Sequence, residues 1–269
     1  MGSNVSANTL FHFTNNIESI INILVKDFSP RYCMENMKFI YKEGIQKLAA
    51  TQIAIPMVCF CDIPLSQIGN HVQNYGPYAI GLSKRWAEDN GINPVMYELP
   101  DSNAVSTIRE CLHITIPCLI GKNFESQEVN KKMMVLGEYL RYFLSYLKPY
   151  EGQKWDGNGF TGDIIRFYDE REWRYIPEYI EMTNKSLLSF ILKEDFVDID
   201  KRIEFNAKLE NNFKLKFEPK DIKYIIVKNE EEVLRMVQRV NEIKTKYSYE
   251  DVEVLKTKII SMERIREDF

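Results

Sequence analysis

The segment IAIPMVCFCDIPL, residues 53–65, constrains the fold of this 269-residue chain more than any other stretch. It is short, apolar and bounded by prolines, which is typical of a buried strand, and we centre that strand on Val58 to Cys61. Because successive side chains of a strand alternate, Cys59 and Cys61 share one face and Phe60 lies on the other. The sequence therefore predicts a buried strand at this position.

Upstream of this strand, a strand pattern gives way to a helical one. The run TLFHF, residues 9–13, is typical of a short strand. Asn15, with Glu18 three residues later, predicts the start of a helix whose apolar residues recur at helical spacing and which ends at Pro30. A second helix is expected around Lys42 to Ala50.

Downstream, turn residues separate further apolar runs. These runs predict a strand, a short helix and another strand, near Tyr78 to Leu82, Lys84 to Asn90 and Val95 to Glu98. His113 alternates with apolar residues, which indicates a strand within residues 102–121.

A long helix is predicted from Glu125 to Leu147, ended by Pro149. Its inward face would consist of apolar side chains at helical spacing: Val129, Met133, Leu136, Leu140, Phe143, Leu144 and Leu147. After a glycine-rich loop, residues 150–162, a new strand region begins at Asp163. Residues 213–228 resemble two strands, and the chain from Asn229 onward is charged and helical.

This mixture of strands and helices predicts an α+β fold. The chain has no internal repeat and no low-complexity linker. The simplest organisation is one α+β domain over residues 1–228, with a helical C-terminal extension, residues 229–269, packed on the same domain.

Composition excludes several functional classes. Lys and Arg total 35 against 39 Asp and Glu, so the net charge of −4 disfavours a dedicated nucleic-acid binder. Five cysteines without a C-x-x-C motif fit neither a disulfide framework nor a zinc site, and only three histidines are present. We expect no metal. Without a signal peptide or a membrane-length apolar run, the chain is expected to be soluble and cytoplasmic, with no membrane partner.

The segment GNGFTG, residues 157–162, matches the dinucleotide pattern G-x-G-x-x-G by its letters alone. A loop precedes it and a strand follows it, whereas the dinucleotide motif requires a strand before it and a helix after it. We therefore discard it as a nucleotide-binding motif.

The run YDEREWRYIP, residues 168–177, contains the strongest candidate for catalysis. On a strand, Glu170 and Glu172 point to the same face, about 6 to 7 Å apart. One carboxylate can stabilise positive charge on a sugar carbon while the other accepts a proton from an incoming nucleophile. Trp173 and Tyr175 would then face the core. The alternative is a charged edge strand whose side chains pair in solvent.

His12 and the tyrosines of YGPYAIGLS are candidate binding residues. His12, flanked by aromatic residues, could hold a ribose hydroxyl with Thr14 beside it, or could be a core histidine bonded to a backbone carbonyl. Tyr75 and Tyr78 could form an aromatic platform, although packing and turn formation explain them nearly as well. His71 lies in a polar stretch and is expected to be exposed.

Several of these segments together resemble the AbiGi family of bacterial abortive phage infection proteins. They are LFHFT, PRYC at 30–33, IPMVCFCDIPL, YGPYAIGLSKRWAEDNGINPV, FYDEREWRYIP and the closing IREDF. The resemblance implies one half of an abortive-infection pair, commonly the antitoxin beside a nucleotidyltransferase-like toxin.

A more distant resemblance connects H-x-T, C-F-C-D and E-x-E to the three-part signature of ADP-ribosyltransferases. It implies a split mixed or antiparallel sheet with surrounding helices, with NAD as substrate. Carried over, the first motif places ribose binding on His12 and Thr14, and the middle motif places the nicotinamide pocket on Cys59 to Asp62, including Cys61. Glu172 would contact the nicotinamide ribose and Glu170 would assist the acceptor. In the subclass with a middle tyrosine, Tyr75 and Tyr78 compete for that role.

The leading functional hypothesis is therefore a phage-defence ADP-ribosyltransferase that cleaves NAD and transfers ADP-ribose to a macromolecule, protein or nucleic acid. Arg31 would receive the NAD pyrophosphate in a local basic cleft. The alternative is a non-enzymatic antitoxin or sensor that binds a toxin partner or a phage protein, with the apolar face of residues 229–269 as its surface unless that face packs on the core. A nuclease that uses Asp163, Glu172 and Arg174 is a weaker third possibility.

Overall fold

The computed structural model describes residues 8–41, 51–119, 126–243 and 247–268. Its main sheet has the strand order β13-β12-β4-β1-β3-β10-β5, and β2 and β11 also pair with β3. The strands β12 and β13 run parallel, whereas the other pairs of this sheet are antiparallel. The sheet is therefore mixed, and the predicted α+β class is confirmed.

The strands are β1 (Thr9–Thr14), β2 (Arg31–Asn36), β3 (Gln52–Cys61), β4 (Tyr78–Ser83), β5 (Asn93–Pro94), β6 (Met96–Glu98), β7 (Leu147–Pro149), β8 (Glu151–Trp155), β9 (Phe160–Arg166), β10 (Glu172–Tyr175), β11 (Ile191–Leu192), β12 (Ile222–Val227) and β13 (Ile259–Ser261). Strands β6 and β7 form a separate parallel pair, and β8 and β9 form an antiparallel hairpin.

The helices are α1 (Ile17–Lys26), α2 (Gly69–Tyr75), α3 (Lys84–Asp89), α4 (Asn103–Leu119), α5 (Gln127–Leu144), α6 (Tyr179–Asn184), α7 (Lys193–Val197), α8 (Ile199–Asn212), α9 (Glu230–Glu242), α10 (Tyr249–Lys256) and α11 (Met262–Asp268). No helix among the described residues is both long enough and apolar enough to cross a membrane.

The partner strand of β3 changes along its length, and this change splits the sheet. The segment 52–57 of β3 pairs with β2, whereas β1 meets β3 only in the pair Phe11 with Cys61. Beyond that pair, the second half of β1 remains paired with β4, with Thr14 opposite Tyr78. A gap therefore opens between β1 and β3.

The two faces of the sheet carry different side chains. Phe11, Cys61 and Glu172 are paired across β1, β3 and β10, so they share one face. Phe60 belongs to a core cluster on the opposite face, and Trp173 packs against that cluster. The predicted inward direction of Trp173 and Tyr175 is confirmed.

Several local predictions are wrong. His113 lies on helix α4, because the apolar positions of this segment follow helical rather than alternating spacing. The cap of α1 is Asn16, whose side chain accepts from Glu18 N at 2.8 Å, rather than Asn15. The glycine-rich loop is largely the β8–β9 hairpin, whose turn is held by Asp156.

The C-terminal half also differs in detail. Within residues 213–228 only β12 is a strand, since Leu215 forms an isolated bridge with Phe28. The extension from residue 229 contains strand β13 as well as helices, and its apolar side chains Met236 and Val240 are buried in the core. The helix predicted for Lys42 to Ala50 lies outside the described residues.

Helix α5 confirms the predicted long helix, but only part of its predicted inward face is buried. Leu144 and the following Leu147 are buried. Val129, Leu136 and Phe143 remain half exposed.

Candidate functional site

A cleft of about 1040 Å³ opens at the gap between β1 and β3. Sites for small ligands commonly measure roughly 300–1,000 Å³, so this cleft can hold a large one. The sequence-predicted site residues on its wall are His12, Thr14, Arg31, Cys61, Tyr75, Glu170 and Glu172. Residues that are far apart in the sequence thus meet in one place.

Two predicted site residues do not line this cleft. Asp62, expected in the nicotinamide pocket, accepts from Lys84 Nζ at 2.7 Å instead. Tyr78 is the other. It is buried in the core against helix α9, and its hydroxyl donates to Glu232 Oε1 at 2.9 Å. Of the two competing tyrosines, Tyr75 is therefore the one that reaches the cleft.

His12 closes part of the gap between β1 and β3 with its ring. Its Nδ1 lies 2.8 Å from the carbonyl oxygen of Cys59, and its ring packs edge-on against Phe28 and Phe60. Burial lowers the pKa of His12. Since a carbonyl only accepts, the neutral ring carries its proton on Nδ1, which leaves Nε2 as an acceptor. Among the described residues, Nε2 has no hydrogen-bond partner.

Glu172 is the centre of a buried ionic cluster. Its Oε1 accepts from Arg174 Nε at 2.7 Å, and its Oε2 accepts from Arg174 Nη2 at 3.2 Å and from Lys148 Nζ at 2.8 Å. Its backbone N–H donates to the Tyr97 hydroxyl at 2.8 Å. Arg174 and Lys148 outweigh the opposing effect of burial and lower the pKa of Glu172, so this carboxylate stays ionised.

Glu170 belongs to the same ionic cluster, although it does not lie on the strand that carries Glu172. It lies in a 3-10 turn, Phe167–Glu170, and β10 begins only at Glu172, so the two glutamates do not alternate along one strand. Lys148 Nζ nevertheless lies 2.7 Å from Glu170 Oε2 and so bridges both carboxylates. The Tyr75 hydroxyl donates to Glu170 Oε1. Burial and the Glu170 charge raise the pKa of Tyr75, so its hydroxyl keeps the proton.

Glu35 and Lys148 are site residues that sequence reasoning missed. Glu35, on β2, lines the cleft and accepts from Arg174 Nη2 at 2.6 Å. Lys148 follows the end of the predicted long helix and lies on β7, buried over the ring of Phe167 at 4.4 Å. No local pattern identifies these residues. The E-x-R spacing of Glu172 and Arg174, which places both on one strand face, was the available signal for Arg174.

Two further groups shape the cleft wall. His71, predicted to be exposed, is partly buried and packs 4.5 Å from the Tyr75 ring and 5.0 Å from Phe13. Burial lowers the pKa of His71 to about 4, so it is a neutral aromatic surface at physiological pH. Burial also raises the pKa of Cys61, which keeps its thiol protonated.

A protein-family model matches residues 26–228, and its description reads "Putative abortive phage resistance protein AbiGi, antitoxin". This match covers most of the chain and includes the cleft residues from Arg31 to Glu172. The chain belongs to the AbiGi family. A relative named "Abortive phage resistance protein AbiGi", from Lactococcus lactis subsp. cremoris, is 31% identical over 260 residues, which cover 90% of this chain and 99% of the relative.

Membership in the AbiGi family confirms the first of the two sequence resemblances. No solved structure matches the chain significantly. The ADP-ribosyltransferase fold is thus not confirmed, and what stands is an AbiGi protein with a mixed sheet, surrounding helices and a large cleft.

Proposed function

We propose that this AbiGi protein acts in abortive phage resistance as an ADP-ribosyltransferase that binds NAD in the cleft. It would transfer ADP-ribose to a macromolecular acceptor, either protein or nucleic acid. The observation that carries the proposal is that residues of all three motifs line one cleft: His12 and Thr14, Cys59 to Cys61, and Glu170 with Glu172. Packing alone does not require residues from these three motifs to surround the same opening.

The cleft offers groups suited to the parts of NAD. The acceptor Nε2 of His12 and the hydroxyl of Thr14 would bind ribose hydroxyls. Arg31 is exposed on the cleft wall, where a guanidinium can bind a pyrophosphate. Tyr75 and Cys61 would border the nicotinamide with aromatic and apolar surface.

The chemistry would occur beside Glu172. The bond between the nicotinamide nitrogen and the ribose C1′ breaks, and its electron pair leaves with nicotinamide. Positive charge develops on C1′ and its ring oxygen, which an ionised carboxylate stabilises. Lys148 and Arg174 hold Glu172 in place, but they also compensate its charge. Productive binding therefore requires the nicotinamide riboside part of NAD, whose ring is cationic, to compete with Lys148 for this carboxylate.

Release of nicotinamide from labelled NAD tests this function. The wild-type protein is expected to release nicotinamide, and Glu172→Gln should reduce the rate by about 100-fold to 1,000-fold. Glu151→Gln is the matched control, because Glu151 is an exposed carboxylate of the same cleft wall. NAD binding and melting temperature are measured for each variant, so that an unfolded protein is recognised. Absence of release by the wild type, or full activity of Glu172→Gln, would overturn the proposal.

A second candidate function is that of an antitoxin that binds a toxin. The family description names an antitoxin, and helix α5 carries a half-exposed apolar stripe of Val129, Leu136, Tyr139 and Phe143. These residues recur at intervals of seven, three and four, the spacing of a helix face that docks on a partner.

Co-expression with the product of a neighbouring gene tests that candidate. Leu136→Lys should abolish co-purification, whereas Ile203→Lys, at another exposed apolar position, on α8, should not. If the toxin and the wild-type chain elute separately, or if both variants bind equally well, this surface has no such role. Binding to a phage protein instead would identify a sensor.

A further inference from the structure

Three carboxylates meet in the ionic cluster, and they differ in how many of their oxygens are already bonded. Glu172 and Glu170 each accept through both oxygens. Glu35 accepts only through Oε1, from Arg174 Nη2 at 2.6 Å. Among the described residues, no donor reaches Glu35 Oε2, and 12% of the Glu35 side chain is exposed.

Glu35 also lies next to Glu172. The same Arg174 nitrogen, Nη2, donates to Glu35 at 2.6 Å and to Glu172 at 3.2 Å. A ribose carbon beside Glu172 and an acceptor atom beside Glu35 would thus be neighbours. Side chains of both residues line the cleft.

The charges around Glu35 suit a proton acceptor. Burial raises the pKa of Glu35, against the lowering effect of Arg174 and Lys148, and the negative charges of Glu172 and Glu170 raise it further. A base works best when its pKa lies close to the working pH. Glu172, whose pKa is lowered, is a poor base by this criterion.

We propose that Glu35 is the general base of the transfer reaction, an inference that rests on the proposed ADP-ribosyltransferase function. The acceptor is a hydroxyl, thiol or N–H group. As its heteroatom bonds to C1′, its proton passes to Glu35 Oε2 and nicotinamide departs with the electron pair of the broken bond. No other reactant is needed. Glu170 is then a positioning residue that holds Lys148 and Tyr75.

The test uses the full chain with NAD as the donor and water as the acceptor. Glu35→Gln retains an oxygen for Arg174, so the ionic cluster is kept. Its kcat should fall by about 100-fold to 10,000-fold with little change in the KM for NAD. The limb of the kcat/KM profile that rises with pH should disappear, because this limb reports deprotonation of the base. Glu35→Asp keeps a carboxylate and should recover part of the rate together with that limb.

The outcomes distinguish a failure of the role of Glu35 from a failure of the ADP-ribosyltransferase function. If the wild type releases nicotinamide and Glu172→Gln does not, but Glu35→Gln retains the wild-type rate and pH profile, Glu35 is not the base and the transferase function stands. If the wild type releases no nicotinamide, both proposals fall. If Glu35→Gln does not fold, a Glu35→Asp protein with an unshifted wild-type pH profile overturns the role.

Discussion

Glu172 and Arg174 lie two residues apart on β10 and form a buried ion pair, with Arg174 Nε 2.7 Å from Glu172 Oε1. Side chains at this spacing share a strand face, which brings the guanidinium alongside the carboxylate. Arg174 is fully buried and also donates to Glu35 and to the carbonyl oxygen of Ser145. This guanidinium therefore joins β2, β10 and the end of α5.

Removal of the Arg174 charge should destabilise the protein strongly. Arg174→Met leaves Glu35 and Glu172 without their main partner, and breaking a buried pair costs about 3 to 5 kcal/mol. Arg166→Met is the matched control, since Arg166 pairs with Asp169 at 3.9 Å and both side chains are largely exposed. Its cost should be about 0 to 1 kcal/mol. Urea unfolding measures both, and equal losses would show that the cluster adds no stability.

Stability should fall in acid because of Glu172. The folded protein lowers the pKa of Glu172 below its ordinary 4.5. The stabilisation from its ionised form is thus present above the unfolded pKa and is lost as the pH falls below about 4.5 toward the folded pKa. Glu172→Gln should flatten this part of the curve of unfolding free energy against pH. An unchanged acid slope in the variant would mean that other carboxylates account for it.

NAD affinity should depend on the neutral form of His12. The pKa of His12 lies below 6.5, so Nε2 can accept a hydrogen bond at neutral pH and loses this ability as the pH falls through the lowered pKa. His12→Ala should weaken NAD binding about 10-fold, the loss of one hydrogen bond of about 1.4 kcal/mol. His113→Ala, at an exposed position on α4, should bind as the wild type does. Calorimetric titration across the acid range decides this, and a pH-independent affinity in the wild type would contradict it.

Gly76 should tolerate no side chain. It ends helix α2 with φ +100°, and an added Cβ would lie 2.5 Å from the carbonyl oxygen of Thr14. Gly76→Ala should therefore cost about 1 to 3 kcal/mol and disturb Tyr75, the last residue of that helix. Gly91→Ala separates the cost of the backbone conformation from the cost of the contact with Thr14, because Gly91 has φ +67° but open space around it. If the two alanine variants are equally stable in thermal unfolding, the contact with Thr14 has no effect.

The sequence determines the strands and their faces where local patterns are strong. The short apolar run bounded by prolines at residues 53–65 predicts β3, strand alternation predicts the shared face of Cys59 and Cys61, and helical spacing predicts α1 and most of α5. These predictions succeed because the side chains that define the pattern are the ones the core buries. The strand prediction around His113 fails, since the apolar positions of the whole segment follow helical spacing.

The candidate site was likewise predicted by the sequence only in part. The sequence by itself determined the α+β class, the AbiGi family and seven of the residues that line the cleft, because each motif has a local signature. Only the tertiary structure decided that β1 and β3 part after Phe11, that Tyr75 rather than Tyr78 faces the opening, and that Lys148 bridges Glu170 and Glu172. The residues of that bridge lie on separate elements, β7, a 3-10 turn and β10, and their attraction depends on distance in space, which no local pattern records.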